Sequence, residues 1–460
     1  MQAAVAAGHP ATTAAGVEIL EDGGSAADAA VAATLASCVA ETVMTGLLGG
    51  GHASYFDAAS GRARNLDCFV AVPGLGAERR DVELLHLDVR FGAELVHYAV
   101  GPASCGVPGL PAGLEALWRE YGRLPWAHLV RPAIRLAREG VDLPPAHAAC
   151  LAMLAPVMTM NEGARIYAPG GELLPAGGRL EQPGLVAALE AVAEEASSAY
   201  RGLIAEELLA LCAERGGLVT RADLDAYEVR WGEPVEVGYL DGRLLTRGGL
   251  SGVPETVPRL PQLRGLGETE RVLALVDVLE AASAAGGDTT NVTVVDREGN
   301  ACVLTTSLGL GSGDFLPGFD LHLNSMLGEA DLLRGRPEPG DRMQSMMAPT
   351  FVVDRDGLSL AAGAAGGTRL KTALLGVVAG ILDEGLSPEA AVERPRFHPA
   401  PEIVNAEPGV DEAALESLEA RGRGVRRWPE RHHYFGGVSV VSRTGAAGDP
   451  RRSGAASTIR

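Results

Sequence analysis

The stretch Asp288-Thr289-Thr290-Asn291-Val292-Thr293-Val294-Val295-Asp296 constrains this chain more than any other. It reads as a strand opening with threonine, and the small residues Ala284-Ala285-Gly286-Gly287 before it form a flexible, exposed lead-in where a chain can be cut. A threonine that becomes a new N-terminus carries two catalytic groups at once. Its hydroxyl is the nucleophile and its freed α-amine is the base. That amine titrates at roughly 7.7–8.0, so a useful fraction is neutral near cellular pH. A threonine inside an intact chain has no such partner. The pattern predicts a cut between Asp288 and Thr289, followed by amide hydrolysis or acyl transfer from Thr289.

Threonine is common in strands, so Thr289 by itself decides little. Its neighbours add weight. Thr305 and Ser307 lie at the far end of the next strand, where either hydroxyl could orient Thr289 by a hydrogen bond. The run Ala362-Gly363-Ala364-Ala365-Gly366-Gly367-Thr368-Arg369 ends a strand and begins a helix. Its paired glycines expose bare N–H groups at a helix N-terminus, which suits an oxyanion, although such a Gly-Gly is more often a plain turn.

Whole classes of chemistry are excluded cheaply. Lys371 is the sole lysine, so no phosphate loop of the Gly-Lys type exists, and G-x-S-x-G, G-x-G-x-x-G and H-E-x-x-H are all absent. The six cysteines form no C-x-x-C pair and the histidines have no ligand spacing, so no metal site is expected. Free, buried cysteines fit a reducing compartment. A formal net charge of −20 argues against nucleic-acid or anionic-membrane partners. No window reaches the roughly 18 apolar residues of a membrane span. The N-terminus lacks a positively charged leader, so the expected location is cytoplasmic unless a longer native N-terminus directs secretion.

With 460 residues, 60 of them glycine and 47% hydrophobic, the chain suits a globular α/β protein packed through small residues. Strands are expected at 3–7, 52–56, 64–70 and 438–442, with hairpins pairing 292–295 with 301–306 and 350–354 with 358–362. Helices are expected at 12–21, from an N-cap at Ser25 to about 39, across 110–155, twice within 185–215, and at 268–282, 368–384 and 411–420. Gly49-Gly50-Gly51 reads as a site of close strand packing, and the Gly/Pro-rich segment 246–268 as a linker or loop. The arginines between 421 and 431 read as a solvated face. Strands cluster centrally with helices on both sides, which is consistent with helix, sheet, sheet, helix layering.

The chain resembles the γ-glutamyltranspeptidases of the N-terminal-nucleophile hydrolase superfamily. The resemblance rests on His9-Pro10 and Gly23-Gly24-Ser25-Ala26-Ala27-Asp28, then Tyr200-Arg201-Gly202, Gly216-Gly217-Leu218-Val219-Thr220 and Asp223-Leu224-Asp225-Ala226-Tyr227. It continues through Thr289-Thr290-Asn291, Ser345-Met346-Met347-Ala348-Pro349-Thr350, Gly366-Gly367-Thr368-Arg369 and Pro395-Arg396-Phe397-His398. Each block is modest, but their order is specific.

The resemblance implies a four-layer αββα sandwich of the α/β (α+β) class. It also implies cleavage into residues 1–288 and 289–460, the two halves staying together as a heterodimer with one composite fold. Asp288 and Thr289 then form the processing site. Thr289 takes the nucleophile position, Ser307 the hydroxyl beside it, and Gly366 and Gly367 the oxyanion hole. Glu329, Ser345, Asn291 and Phe69 fall around the substrate. The implied substrate is a γ-glutamyl amide such as glutathione, with water or an amine as acceptor and no cofactor or metal.

The departures are specific. Phe69 stands where the family's carboxylate-binding arginine is expected, and Met346 replaces one of two serines. Glu329 replaces an aspartate, Met326 a glutamine and Gly309 an asparagine. The cutting apparatus is retained while the glutamyl pocket is altered, so an acylase for a less polar acyl group is the second expectation. An unprocessed binding homologue is the third.

Overall fold

The computed structural model describes residues 1–78, 82–92, 94–280, 288–333 and 335–459. Among these residues two antiparallel sheets dominate. The first has seven strands in the order Ala455–Thr458, Ala4–Ala7, Asp288–Val295, Ala301–Gly309, Gly50–Asp57, Arg62–Cys68 and Arg230–Gly232. The second has six, in the order Gly445–Gly448, Gly437–Ser442, Gly357–Ala365, Thr350–Asp354, Gly242–Thr246 and Val235–Tyr239. The strand Asp288–Val295 runs near the middle of the first sheet, paired with Ala4–Ala7 on one side and Ala301–Gly309 on the other. Segments from before and after residue 288 therefore share one hydrogen-bonded ladder.

The period-two rule assigns the faces. Val292 and Val294 join a core with Val5, Ala53, Leu304 and the helices Pro10–Glu21, Ala26–Ala40 and Trp126–Glu139. Val295, Val303 and Ala301 point the other way, against Phe351, Ala361 and Val441 of the second sheet. The far side of that sheet is covered by Glu268–Leu279, Leu370–Leu382, Pro388–Glu393 and Glu412–Ala420. The four layers are helix, sheet, sheet, helix.

Ala26–Ala40 is buried along its whole length, as its alanine-rich sequence demands. Its start is fixed by a capping box: the Asp28 N–H donates to Ser25 Oγ at 3.1 Å, and the Ser25 N–H to Asp28 Oδ2 at 3.0 Å. The glycines at 49–51 do let backbones approach. A Cβ at Gly49 would overlap the Ser307 carbonyl, and one at Gly51 the Thr305 carbonyl. They seat the strand bearing Ser307. All six cysteines are buried and none is in a disulfide, and no helix among the described residues is long and apolar enough to cross a membrane.

Some expectations need correction. The helical pattern across 110–155 is three helices, Leu110–Tyr121, Trp126–Glu139 and Pro145–Met158, broken at Gly122 and Gly140. The segment read as a linker is packed: Val253, Val257 and Leu263 enter the core beneath the second sheet. Proline and glycine marked its turns correctly but hid its burial. The arginine run is a solvated face as expected, with Arg421, Arg427 and Arg431 exposed, and Arg423, Arg426 and Arg427 also pair with Glu280, Glu94 and Glu412. The lead-in at 284–287 lies outside the described residues.

Candidate active site

Strand pairing brings the predicted residues together. Asp288 opposes Gly309 and Thr290 opposes Thr306, with a register irregularity between them. Thr289 occupies that irregularity, and bulges of this kind commonly re-aim a side chain at a working site. The strand Asp288–Val295 contains both residues of the expected cut; the Asp288 side chain lies outside the described residues. Thr289 shares a cavity with Ser307, Phe69, Met326, Glu329 and Ser345. Leu332, Met346, Met347, Gly367 and Leu370 complete its lining. The cavity measures about 30 Å³, room for roughly two waters. Methionines 326, 346 and 347 in the lining are unbranched and adaptable.

Thr290 faces away from this cavity. Its hydroxyl donates to the Glu41 carboxylate on the helical side of the sheet. Of the two hydroxyls expected near the nucleophile, Ser307 lines the cavity and its Oγ accepts from the Gly309 N–H at 2.8 Å. Thr305 is turned to Asn291, whose Nδ2 donates to Thr305 Oγ1 at 2.8 Å and to the Leu304 carbonyl at 3.1 Å.

Asn291 therefore is not placed at the substrate. Its side chain is spent between the sheets, where Thr293 Oγ1 also donates to its Oδ1 at 3.0 Å. Directly opposite lies Gly363, where any Cβ would overlap the Asn291 amide. Gly363→Ala is expected to cost about 1–3 kcal/mol through overpacking, measured as a lower denaturation midpoint with an unchanged slope against denaturant.

Gly366 and Gly367 have φ of 122° and 57°, both in the region that favours glycine. Gly367 lines the cavity and opens a 3₁₀ turn, Gly367–Arg369, that feeds the helix Leu370–Leu382. Gly366 sits one step behind, where a Cβ would crowd the Gly436 Cα. The helix N-terminus thus faces the nucleophile strand across the inter-sheet gap.

Phe69 is buried and stacks on His52 with ring centroids 5.5 Å apart. Burial first, then the charges of Arg247 and Arg342, hold the His52 pKa well below its usual value, so the ring is neutral. Ser345 is fixed through its backbone: its carbonyl accepts from the Leu250 N–H and from Arg247 Nη1, both at 3.1 Å. The Glu329 carboxylate lies against Gly309, where a Cβ would come within 2.7 Å of both Glu329 Oε1 and Ser325 Oγ. The bare glycine and the longer acid thus accommodate each other.

Residues that sequence reasoning did not single out are Leu332, Met347 and Leu370 in the lining, Glu41 behind the nucleophile strand, and Arg452 at the Thr289 carbonyl. Glu41 carried a signal: it is a lone carboxylate directly after a helix of buried small residues. Among the described residues no cluster of three or more His, Cys, Asp or Glu is placed to hold a metal.

The family profile described as Gamma-glutamyltranspeptidase matches residues 12–257 and 268–459. The chain belongs to the γ-glutamyltranspeptidase family. It is 29% identical to the acylase ACY 1 proenzyme of Pseudomonas sp. (strain V22), over 95% of this chain and 89% of that one. It is 27% identical to the glutathione hydrolase proenzyme of Escherichia coli (strain K12), over 92% of this chain and 86% of that one. The crystal structure of cephalosporin acylase from Bacillus halodurans has the same fold, with a TM-score of 0.83 and 23% identity over 100% of this chain and 96% of that chain. The γ-glutamyltranspeptidase family groups glutathione hydrolases with acylases, and this chain is an enzyme of that N-terminal-nucleophile type, hydrolysing or transferring amide-linked acyl groups.

Proposed function

We propose that this γ-glutamyltranspeptidase-family chain cuts itself between Asp288 and Thr289, then takes the acyl group from γ-glutamyl amides such as glutathione. The observation that carries this reading is the cavity shared by Thr289, Ser307, Gly367, Glu329 and Ser345. In processing, the Thr289 hydroxyl attacks the Asp288 carbonyl and the Thr289 nitrogen leaves, converting amide to ester. Water then hydrolyses the ester, freeing the Asp288 carboxylate and the Thr289 amine. The two halves stay together because their strands alternate within one sheet.

In turnover, the free amine accepts the hydroxyl proton as Thr289 attacks the substrate amide. N–H groups at Gly366 and Gly367 stabilise the oxyanion. The amine leaving group departs protonated, and the threonyl ester passes its acyl group to water or to an amine acceptor. Glu329 suits the cationic amino end of a γ-glutamyl group, and Ser345 its carboxylate.

A second reading has its own support. Phe69, Met326, Leu332, Met346, Met347 and Leu370 make most of the lining apolar, which favours an acyl group less polar than γ-glutamyl. The two are separated by profiling the cut protein on γ-glutamyl anilide and on aliphatic and aromatic acyl anilides. Turnover of the γ-glutamyl substrate, rising with pH through about 7.7–8.0 as the amine loses its proton, is the expected result. Turnover confined to the other acyl anilides selects the second reading.

A further inference from the structure

Behind the nucleophile strand, on the face away from the substrate cavity, lies a buried polar cluster that the chemistry above does not use. Glu41 follows the last turn of Ala26–Ala40 and is wholly buried. Thr12 Oγ1 donates to its Oε1 at 2.6 Å, and Thr290 Oγ1 donates to its Oε2 at 2.5 Å. Arg452 Nη1 lies 3.4 Å from the Thr289 carbonyl oxygen. Gly8 closes the cluster: a Cβ there would collide with the Glu41 carboxylate and stand 2.6 Å from Thr290 Oγ1. Successive side chains of a strand point to opposite faces, so a grip on Thr290 fixes the rotation of Thr289 on the other.

We propose that Glu41 is a positioning residue for the nucleophile, acting through the Thr290 hydroxyl to hold the first residues of the strand in register before and after the cut. The need for such an anchor follows from the cut itself. Thr289 becomes a chain end, and chain ends fray unless tied down. Tertiary anchoring matters steeply here, because a displacement of about 1 Å in a reacting group can cost roughly 100-fold in rate. A carboxylate in this place is costly to bury, and it follows a helix C-terminus, where negative charge is disfavoured. Burial pushes the Glu41 carboxyl up to about 7, partly offset by its bonds from Thr12 and Thr290 and by the charge of Arg452. An acid kept at that cost, with both oxygens engaged and one of them on the residue after Thr289, is placed for alignment.

The inference rests on Thr289 being the nucleophile, so the experiment includes Thr289→Ala. Thr290→Val, Thr290→Ser and Glu41→Gln are purified, and both appearance of the Thr289 N-terminus and steady-state turnover of the best acyl anilide are followed. Thr290→Val and Glu41→Gln are expected to slow self-cutting and lower kcat by about 10–100-fold, with KM within about twofold of the parent. Thr290→Ser, which keeps the hydroxyl, is expected to restore both rates to within about threefold. Parental cutting and kcat in Thr290→Val overturn the proposal, as does a loss that serine fails to restore. Should Thr290→Val not fold, Glu41→Gln and Thr290→Ser decide: a slowed glutamine variant beside a normal serine variant supports the proposal, and any other pairing overturns it. Turnover surviving in Thr289→Ala removes the nucleophile assignment instead, whatever the other variants do.

Discussion

Replacing Thr289 by alanine is expected to leave a single 47.5-kDa chain and to abolish amide turnover. The physical reason is that one residue supplies both steps. Without its oxygen there is no attack on the Asp288 carbonyl, hence no free amine, and no acyl-enzyme afterwards. Loss of a nucleophile that works together with its base lowers kcat by about 10⁴-fold or more in related chemistry. N-terminal sequencing and denaturing gels of parent and variant give the answer. The parent should yield a fragment beginning Thr289-Thr290-Asn291, and the variant none. A parent fragment beginning at Thr290 would shift the nucleophile by one residue, onto the side chain that faces Glu41. A variant retaining full turnover as an intact chain would refute the mechanism. Thr289→Ser, which retains a hydroxyl beside the same amine, should process and turn over more slowly than the parent.

The largest expected loss of stability comes from Arg451. Its guanidinium is buried, paired with Glu407 through Nε at 2.7 Å and through Nη2, and it reaches Asp449 Oδ1 at 3.2 Å. Arg396 Nη2 closes the network on Asp449 Oδ2 at 2.5 Å. Arg451→Ala leaves Glu407 and Asp449 buried with too little compensating charge, which costs about 3–5 kcal/mol. Chemical denaturation would read this as a lower midpoint.

The pH dependence has a defined sign. Burial pushes the Asp449 carboxyl up, but Arg396 and Arg451 more than offset it and hold it below its usual value of 3.8. A depressed carboxylate contributes stability above its unfolded pKa and loses it as pH falls through the folded one. The parent should therefore keep this contribution down to below about pH 3.8. In Arg451→Ala, acid unfolding should begin at higher pH. Function should suffer too, because the adjacent Arg452, in the same Pro450–Arg452 turn, reaches the Thr289 carbonyl.

Much of the architecture was legible because its signals are local. Ser25 and Asp28 announce a helix start by their three-residue spacing, and the capping box is there. Asp296-Arg297-Glu298-Gly299-Asn300 joins two valine- and threonine-rich runs, and the hairpin forms around it with Gly299 at φ 84°. Less legible were the hairpin Leu85–Phe91 with Glu94–Val100 and the edge strand Ala455–Thr458. Their mixed burial blurs the alternation that sequence reading depends on.

The substrate residues divide in the same way. Phe69, Glu329 and Ser345 line the cavity with Thr289, whereas Asn291 is turned into the space between the sheets. Nothing in the run Thr289-Thr290-Asn291 reveals that difference, because it depends on Gly363 leaving space on a strand of the other sheet.

Read alone, the sequence yields most of the helices and strands and the place of Thr289 at the start of a strand, while the four-layer arrangement enters through the family resemblance and is seen in the stacking of the two sheets. Capping, turn chemistry and period-two alternation act within a few residues and need no tertiary context. Only the tertiary structure decided which side chains meet that threonine. Phe69, Met326, Met346 and Leu370 converge on its cavity face, Glu41 reaches the strand from behind, and Arg452 reaches its backbone beside Gly366. These groups lie tens to hundreds of residues apart, and only the stacking of the layers brings them together.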